Sequence, residues 1–457
     1  MTKDEAIELL AMFFLKTNEL AGTGTDDYQS KPTPCQATKQ YVTLRGDKFN
    51  VVTEMIVEAQ RLCGLTQPTL NFRMSKGDSD ASWNLVGRAA AMPTIPNIFN
   101  SDVITSALVR AGIPSEVADG FDFTACNRVN LPQQLYNRMD RIDHFNDCVR
   151  WMMEGLHTLE APSSMDDVMA AIGKVAENKM REFAVATSRT FTDALSFSLD
   201  SLAVARCVAA CKDISQGGAD LYRWQHHIFV GIATMGDSLT AIDQLVFREK
   251  RFPYKEFLAI VEADFDGHEA LRQEILTKVP KYGNDDDEAD RWAVAVATCL
   301  LDAMEKMGRQ EGYIMVASLY SLSQHHRFGR GLGATPDGRK AGMPLSENMS
   351  PTYGRDRLGV TAVMKSVAKL PLARTVCGGL NIKFTQRLRP EELKNLARGF
   401  FAQGGLHVGF TLVTREELED ARINPEKYRT LMVRKFGFSE YYVALSPEYQ
   451  QEIIDRT

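Results

Sequence analysis

Eight cysteines are spread over 457 residues without one Cys-x-x-Cys pair. That sets aside a zinc ribbon and argues against a fold stapled by disulfides. No uninterrupted apolar run approaches the roughly 20 residues that cross a bilayer. The start, Met1-Thr2-Lys3-Asp4-Glu5-Ala6-Ile7-Glu8, is acidic and lacks the apolar core of a signal peptide. The chain is therefore expected in the cytoplasm, with no membrane partner. Charge of one sign is not concentrated either. There are 53 Lys and Arg against 59 Asp and Glu, a net charge of -6, and no basic tract, so nucleic acid is not an expected partner.

What the chain does have is size and apolar content. At 44% hydrophobic residues it can bury a large core, as two or three domains or one large α/β barrel. Thr2-Lys3-Asp4-Glu5 is a capping box that starts a helix within the first few residues. A second helix is expected over Asn50–Leu62, stopped by Gly64, and Thr69-Leu70-Asn71-Phe72-Arg73-Met74 alternates as a strand. Gly120–Pro132 reads as a short strand running into a loop, and Pro132–Lys212 as a long helical stretch. After it come alternating segments: strands at His227–Val230, Gly312–Ser323, Leu380–Phe384 and Leu406–Val413, and helices at Asp237–Phe247, Thr361–Leu370 and from Pro390 onward. Such alternation implies an α/β architecture with a central sheet, closed or open.

Several residue groups invite a chemical reading, and for most the structural one is stronger. Cys207 and Cys211, four apart, share a helical face and are expected in the core. The acidic run Asp285-Asp286-Asp287 lacks the glycine and terminal Glu of a calcium loop and suits a helix start. His325-His326 has no acidic or cysteine neighbour in sequence and is expected to be structural or loop-exposed. Cys126 lies in the loop after a strand, where a rigid scaffold can hold a reactive group, although a buried core cysteine fits that position too.

Gly437 sits between Phe436 and Phe438. Only glycine lacks the Cβ that resists flattening at the α-carbon, so an unpaired electron there can delocalise into both flanking amides. Taken alone, the dipeptide also fits a turn between a short helix and a strand.

A wider match decides between these. Arg434, Gly437 and Phe438, the run Tyr442-Val443-Ala444-Leu445-Ser446 and the ending Gln450-Gln451-Glu452-Ile453-Ile454-Asp455-Arg456-Thr457 resemble the radical loop and tail of glycyl radical enzymes of the pyruvate formate-lyase-like superfamily. So do Thr335-Pro336-Asp337-Gly338-Arg339, Ser350-Pro351, Gly354-Arg355-Asp356, Met92-Pro93 and Phe99-Asn100-Ser101-Asp102. Lys435 stands where that loop usually has valine.

The resemblance implies the C-terminal portion of a ten-stranded α/β barrel, with radical and thiol loops meeting inside. Residues 1–330 would be the partial barrel domain carrying the thiol loop, and residues 331–457 the glycine radical domain. Gly437 would store the radical and Cys126 would relay it as a thiyl radical. A separate radical S-adenosylmethionine activating enzyme would install it post-translationally, with no bound metal or organic cofactor. Anaerobic metabolism, sensitivity to oxygen and a lyase reaction on a small organic substrate follow from the same likeness.

The thiol loop departs from its relatives. Eliminating members carry Cys-x-Glu, and pyruvate formate-lyase proper has adjacent cysteines; here the neighbours of Cys126 are Ala125 and Asn127, and Arg128 takes the Glu position. A guanidinium there would suit a substrate carboxylate, since its fork matches two oxygens. That leaves radical addition to an unsaturated acid as an alternative. A catalytically silent accessory subunit or decayed half-enzyme is another. Because the resemblance covers only the C-terminal part of full-length members, a chain supplying the N-terminal half, or a tight homo- or hetero-oligomer, is expected.

Overall fold

The computed structural model describes the chain except residues 20–40, 126–127, 132–142, 191–199, 214–217, 219–223, 436–437 and 456–457. It forms two compact units, each drawn from separate stretches. The first comprises Met1–Val103, Phe123–Val129 and Gly379–Thr457, and the second Ile104–Asp122 and Asn130–Gly378.

The first unit is built on a five-stranded sheet of β1 (Tyr41–Arg45), β2 (Thr69–Met74), β3 (Asn97–Asn100), β11 (His407–Leu412) and β10 (Asn381–Phe384), in that spatial order. β1, β2 and β3 run parallel, β11 pairs antiparallel with β3, and β10 runs parallel to β11. Alternation puts Leu70, Phe72 and Met74 on one face of β2 and Thr69, Asn71 and Arg73 on the other. All six are buried, so both faces are covered and one of them is polar.

Helix Lys3–Glu19 begins on the expected capping box, with Glu5 N donating to Thr2 Oγ1 at 3.2 Å and Thr2 N to Glu5 Oε2 at 2.7 Å. Its Ile7 and Phe14 pack with Ala59 of helix Val51–Cys63.

The second unit holds an all-parallel sheet of β6 (Asp143–Asp147), β7 (Trp224–Val230), β8 (Ile314–Leu319) and β9 (Thr375–Gly378), in that order. β6 lies inside the stretch expected to be helical from Pro132 to Lys212. Its sequence, Asp-His-Phe-Asn-Asp, has no apolar alternation of its own, and strand pairing with β7 overrides the local pattern. Helices occupy Cys148–His157 and Met165–Thr190 instead.

Behind this sheet, helix Ile232–Ile242 lies against helix Asp287–Glu311 at Gly236, where a Cβ would come 2.9 Å from the Ala293 backbone. The acidic run serves as that second helix's cap. Asp286 accepts from Glu288 N at 2.9 Å, and Lys369 reaches Asp285 and Asp287 at 3.0 and 2.7 Å. His325 is wholly buried in helix Gln324–Arg330, its Nδ1 3.0 Å from Ser321 Oγ.

The cysteine pair separates. Cys207 is buried, but helix Ala205–Ala210 ends before Cys211, which turns left-handed (φ +46) and is exposed. A shared helical face needs the helix to continue, and here it does not. No helix among the described residues is long and apolar enough to cross a membrane.

Candidate functional site

β12 (Met432–Lys435) and β13 (Phe438–Tyr441) form an antiparallel hairpin in register Arg434↔Ser439 and Lys435↔Phe438. Where a turn reading would place a short helix before Gly437, a strand stands. Phe436 and Gly437 lie outside the described residues. One face of the hairpin sends Val433 into an apolar cluster with Leu418, Ala421, Tyr442, Leu445, Ile453 and Ile454. That ties it to helices Arg415–Ile423, which starts on a Thr414 capping box, and Pro447–Asp455.

The other face carries the cross-strand pair Arg434 and Ser439, both buried. They grip successive carbonyls: Arg434 Nη1 donates to Ile95 O at 2.8 Å, and Ser439 Oγ to Thr94 O at 3.0 Å. Ile95 holds φ at +47, a region that costs a β-branched residue about 1–2 kcal/mol.

β3 begins two residues later. Its Phe99 ring stacks on Phe123 at 3.9 Å between centroids and 23° between planes. Phe123 belongs to β4 (Asp122–Ala125), which pairs with β5 (Arg128–Asn130). Cys126 and Asn127, between those strands, lie outside the described residues. Strands beside both expected radical positions are therefore fastened to one segment. From Ile95 to Phe99 is four residues, at most about 14 Å of chain.

Between the two attachments lies His407 of β11, fully buried, with its ring 4.7 Å from that of Phe99. Leu380 N donates to His407 Nδ1 at 3.2 Å, and His407 Nε2 is 3.0 Å from Asn97 Oδ1. Asn97 Nδ2 in turn donates to Asn71 Oδ1 at 2.7 Å. A backbone N–H can donate only to a bare ring nitrogen, so the ring proton sits on Nε2 and the imidazole is neutral. Burial first, and the Arg434 charge second, hold its pKa well below 6.5.

Arg434 lies alongside Gly409, two residues on in β11. A Cβ there would be 3.8 Å from Arg434 Nε, 3.9 Å from His407 Cε1 and 3.4 Å from Asn381 Oδ1. The register sets Thr43 beside Asn71 and Asn71 beside Asn97, extending this polar row across the sheet. Thr43 Oγ1, Asn71 Nδ2 and Thr411 Oγ1 are buried with no hydrogen-bond partner in the protein. Buried polar atoms of that kind call for water or a ligand.

Of the residues singled out from sequence, Arg128 is buried in β5, Lys435 pairs with Phe438, and Cys126 and Gly437 are not among those described. Sequence reasoning missed Ile95, Asn97, His407 and Gly409. The available signal was polar residues at alternate positions in strands that are otherwise apolar, as in Thr69–Met74 and His407–Leu412.

The residue pattern of the family described as Pyruvate formate lyase-like matches residues 1–329, and that described as Glycine radical matches residues 345–443. The chain is 32% identical over 512 aligned residues to the probable dehydratase YbiW of Escherichia coli (strain K12), covering 100% of this chain and 62% of that one. It is 36% identical over 264 residues to trans-4-hydroxy-L-proline dehydratase of Clostridioides difficile, covering 57% and 33%. Its fold superimposes on the glycerol-bound form of the B12-independent glycerol dehydratase from Clostridium butyricum with a TM-score of 0.88 at 27% identity, over 100% of this chain and 61% of that one. The chain thus spans less than two thirds of the length of each of these relatives. With one family pattern over residues 1–329 and the other over residues 345–443, on a fold shared with that glycerol dehydratase, the chain belongs to the pyruvate formate lyase-like family of glycyl radical enzymes.

Proposed function

We propose that this chain carries the radical store, Gly437, and the thiol relay, Cys126, of a glycyl radical lyase, with residues 331–457 as its glycine radical domain. Its substrate is a small oxygenated molecule whose carboxylate Arg128 holds. The observation that supports this best is the common fastening of both hairpins to residues 94–99, by Arg434 and Ser439 on one side and Phe123 on the other. The unpartnered hydroxyl and amide atoms on the polar face of the same sheet suit an oxygenated substrate.

The hydrogen-atom bookkeeping closes. The Gly437 α-carbon radical takes the Cys126 S–H hydrogen and leaves a thiyl. The thiyl takes a substrate C–H hydrogen, and the substrate radical expels its leaving group. The product radical then recovers the hydrogen from Cys126, whose thiyl regains one from Gly437. A radical S-adenosylmethionine enzyme installs the first radical. The exposed side chains Leu9, Met12, Phe13 and Leu15 of the first helix favour an assembled state, either an oligomer or a complex with a chain that supplies the rest of a family-length enzyme. The setting is an anaerobic cytoplasm.

Anaerobic co-expression with the activating enzyme, followed by electron paramagnetic resonance, tests the reading. The expected result is a glycine-type doublet that Gly437→Ala abolishes, while Cys126→Ser keeps the doublet and loses turnover. A wild-type chain with no doublet overturns it.

A further inference from the structure

The polar row across the first unit's sheet has a direction. Leu380 N donates to His407 Nδ1, so the ring proton is on Nε2 and faces Asn97 Oδ1 at 3.0 Å. Asn97 then presents its amide nitrogen to the next strand, where Nδ2 donates to Asn71 Oδ1 at 2.7 Å. Each link fixes the one after it. With the Asn97 amide reversed, its N–H groups would face the N–H of His407. The row therefore ends on Asn71 Nδ2, which can only donate.

That end is buried and unmet. Asn71 has no exposed surface, and its Nδ2 has no hydrogen-bond partner in the protein. Two hydroxyls flank it on the same face: Thr43, opposite Asn71 on β1, and Thr69, two residues back on β2. Their Oγ1 atoms are buried and equally without a partner. An amide donor enclosed in this way costs stability unless an acceptor meets it, and both hydroxyls can turn to donate as well. All three groups suit one oxygen. Neither β1 nor β2 contains an acidic residue, so no carboxylate of these strands competes for them. β1 is the edge strand of its sheet among the described residues, and Tyr41, Thr43 and Arg45 are half-buried, so this corner is the part of the row nearest the rim. Phe99, on the same face as Asn97, stacks on Phe123. Strand β4, which leads to Cys126, is thus packed on the face that carries the row.

We infer that Thr43, Thr69 and Asn71 form a subsite for an acceptor oxygen of the substrate, that of a carbonyl or carboxylate group, and that Asn71 rejects a group that only donates, such as an ammonium. The inference rests on the reading that this polar face holds the substrate. To the carboxylate assigned to Arg128 it adds a second group that accepts hydrogen bonds. Asn71 binds and selects; it takes no part in the radical steps.

The test uses the smallest probe of each kind on the purified full chain, without radical installation. These are sodium acetate and ethylammonium chloride at matched ionic strength and about pH 8, where the first only accepts and the second only donates. Acetate is expected to raise the melting temperature of the wild type saturably, and ethylammonium to leave it unchanged. Asn71→Asp keeps the bond from Asn97 and replaces the donors with an acceptor. Acetate affinity should then fall at least about tenfold, and ethylammonium should become the stabilising probe. Thr69→Val keeps the shape and removes a hydroxyl that has no partner. It should raise the melting temperature of the ligand-free chain while weakening acetate, so the result does not hang on the folding of Asn71→Asp.

A crystal of the full chain grown with acetate should place a carboxylate oxygen within hydrogen-bond reach of Asn71 Nδ2. A water molecule in that place, or acetate affinities within about twofold of wild type in both variants, means that solvent closes the row and overturns the inference. Neither probe needs the radical, so that failure leaves the role of Gly437 standing. An intact acetate response in a chain that gains no glycine-type doublet keeps the subsite and overturns the lyase reading beneath it.

Discussion

Arg434 Nη1 and the Ile95 carbonyl meet at 2.8 Å, and Ile95 makes that bond from a left-handed backbone (φ +47) that its branched side chain disfavours. A strained residue directly under the β12–β13 hairpin is sustained by what surrounds it. Ile95 is buried, which at about 2–3 kcal/mol for the side chain outweighs a strain of about 1–2 kcal/mol.

The hydrogen bond itself is a charged donor on a buried carbonyl. Arg434→Met should cost about 2–3 kcal/mol of stability, and Ser439→Ala about 1 kcal/mol, since a neutral hydroxyl bond is the weaker of the two. Urea unfolding of the purified chain measures both. A larger loss for Ser439→Ala than for Arg434→Met would contradict this ordering.

His407 makes stability depend on pH with a definite sign. Its folded pKa is held well below 6.5, so above about pH 6.5 the ring is neutral in both states and this contribution is complete. Below that, the unfolded chain takes a proton that the fold refuses, and stability falls by about 1.4 kcal/mol per pH unit until the folded pKa is reached. His227, buried beside His144 and His226, is depressed in the same way. His407→Gln should therefore show a shallower loss of unfolding free energy than wild type between about pH 6.5 and about pH 5. Parallel slopes would mean that His407 titrates normally.

Most of the fold was legible because its signals are local. The Thr2 capping box, the stop at Gly64 and the alternation in Thr69–Met74 each depend on a few adjacent residues. β6 was not legible, because its residues become a strand only by pairing with β7 across more than 80 positions of chain. Cys211 misled for a related reason: four-residue spacing marks a helical face only while the helix lasts. At the site, the roles expected of Gly437, Cys126 and Arg128 rest on residue type and resemblance. The polar row of Asn71, Asn97 and His407 could not be read that way. Whether His407 and Asn97 face each other depends on an antiparallel pairing between segments about three hundred residues apart, and no pattern within either segment encodes it.

Asp237 gives the opposite pH sign. Burial, the largest influence, raises its pKa from 3.8 to about 7. The fold thus keeps a proton that the unfolded chain releases from about 3.8 upward, and stability from this group is lost as pH rises through about 7. Oδ1 accepts from Tyr282 N at 2.7 Å, whereas the buried Oδ2 has no hydrogen-bond partner in the protein. Asp237→Asn keeps the first contact and removes the titration. Its melting temperature relative to wild type should rise between about pH 5 and about pH 8. A difference that stays constant with pH would refute this.

Gly236 sets how closely two helices of the second unit approach. Alanine is favoured over glycine in a helix by about 1 kcal/mol. Here, however, the added Cβ would lie 2.8 Å from Ala293 Cβ and 2.9 Å from its Cα and N. Backbone cannot swing aside, so overpacking at the upper end of about 1–3 kcal/mol should win, and Gly236→Ala should lower the melting temperature. A more stable variant would show that the helices part without cost.

Arg128 is buried, and its guanidinium stays charged at any working pH. Were its purpose only structural, Arg128→Gln would lower stability and leave ligand preference alone. If it holds a carboxylate, the substitution removes a charged hydrogen bond worth about 1.5–3 kcal/mol, or roughly ten- to a hundredfold in affinity, from carboxylate ligands but not from uncharged analogues. Arg128→Lys, keeping the charge but losing the two-pronged geometry, should fall between. Calorimetric binding of matched acid and amide pairs to the three chains separates the cases. An acid preference that survives in Arg128→Gln, with or without a stability loss, ends the carboxylate assignment.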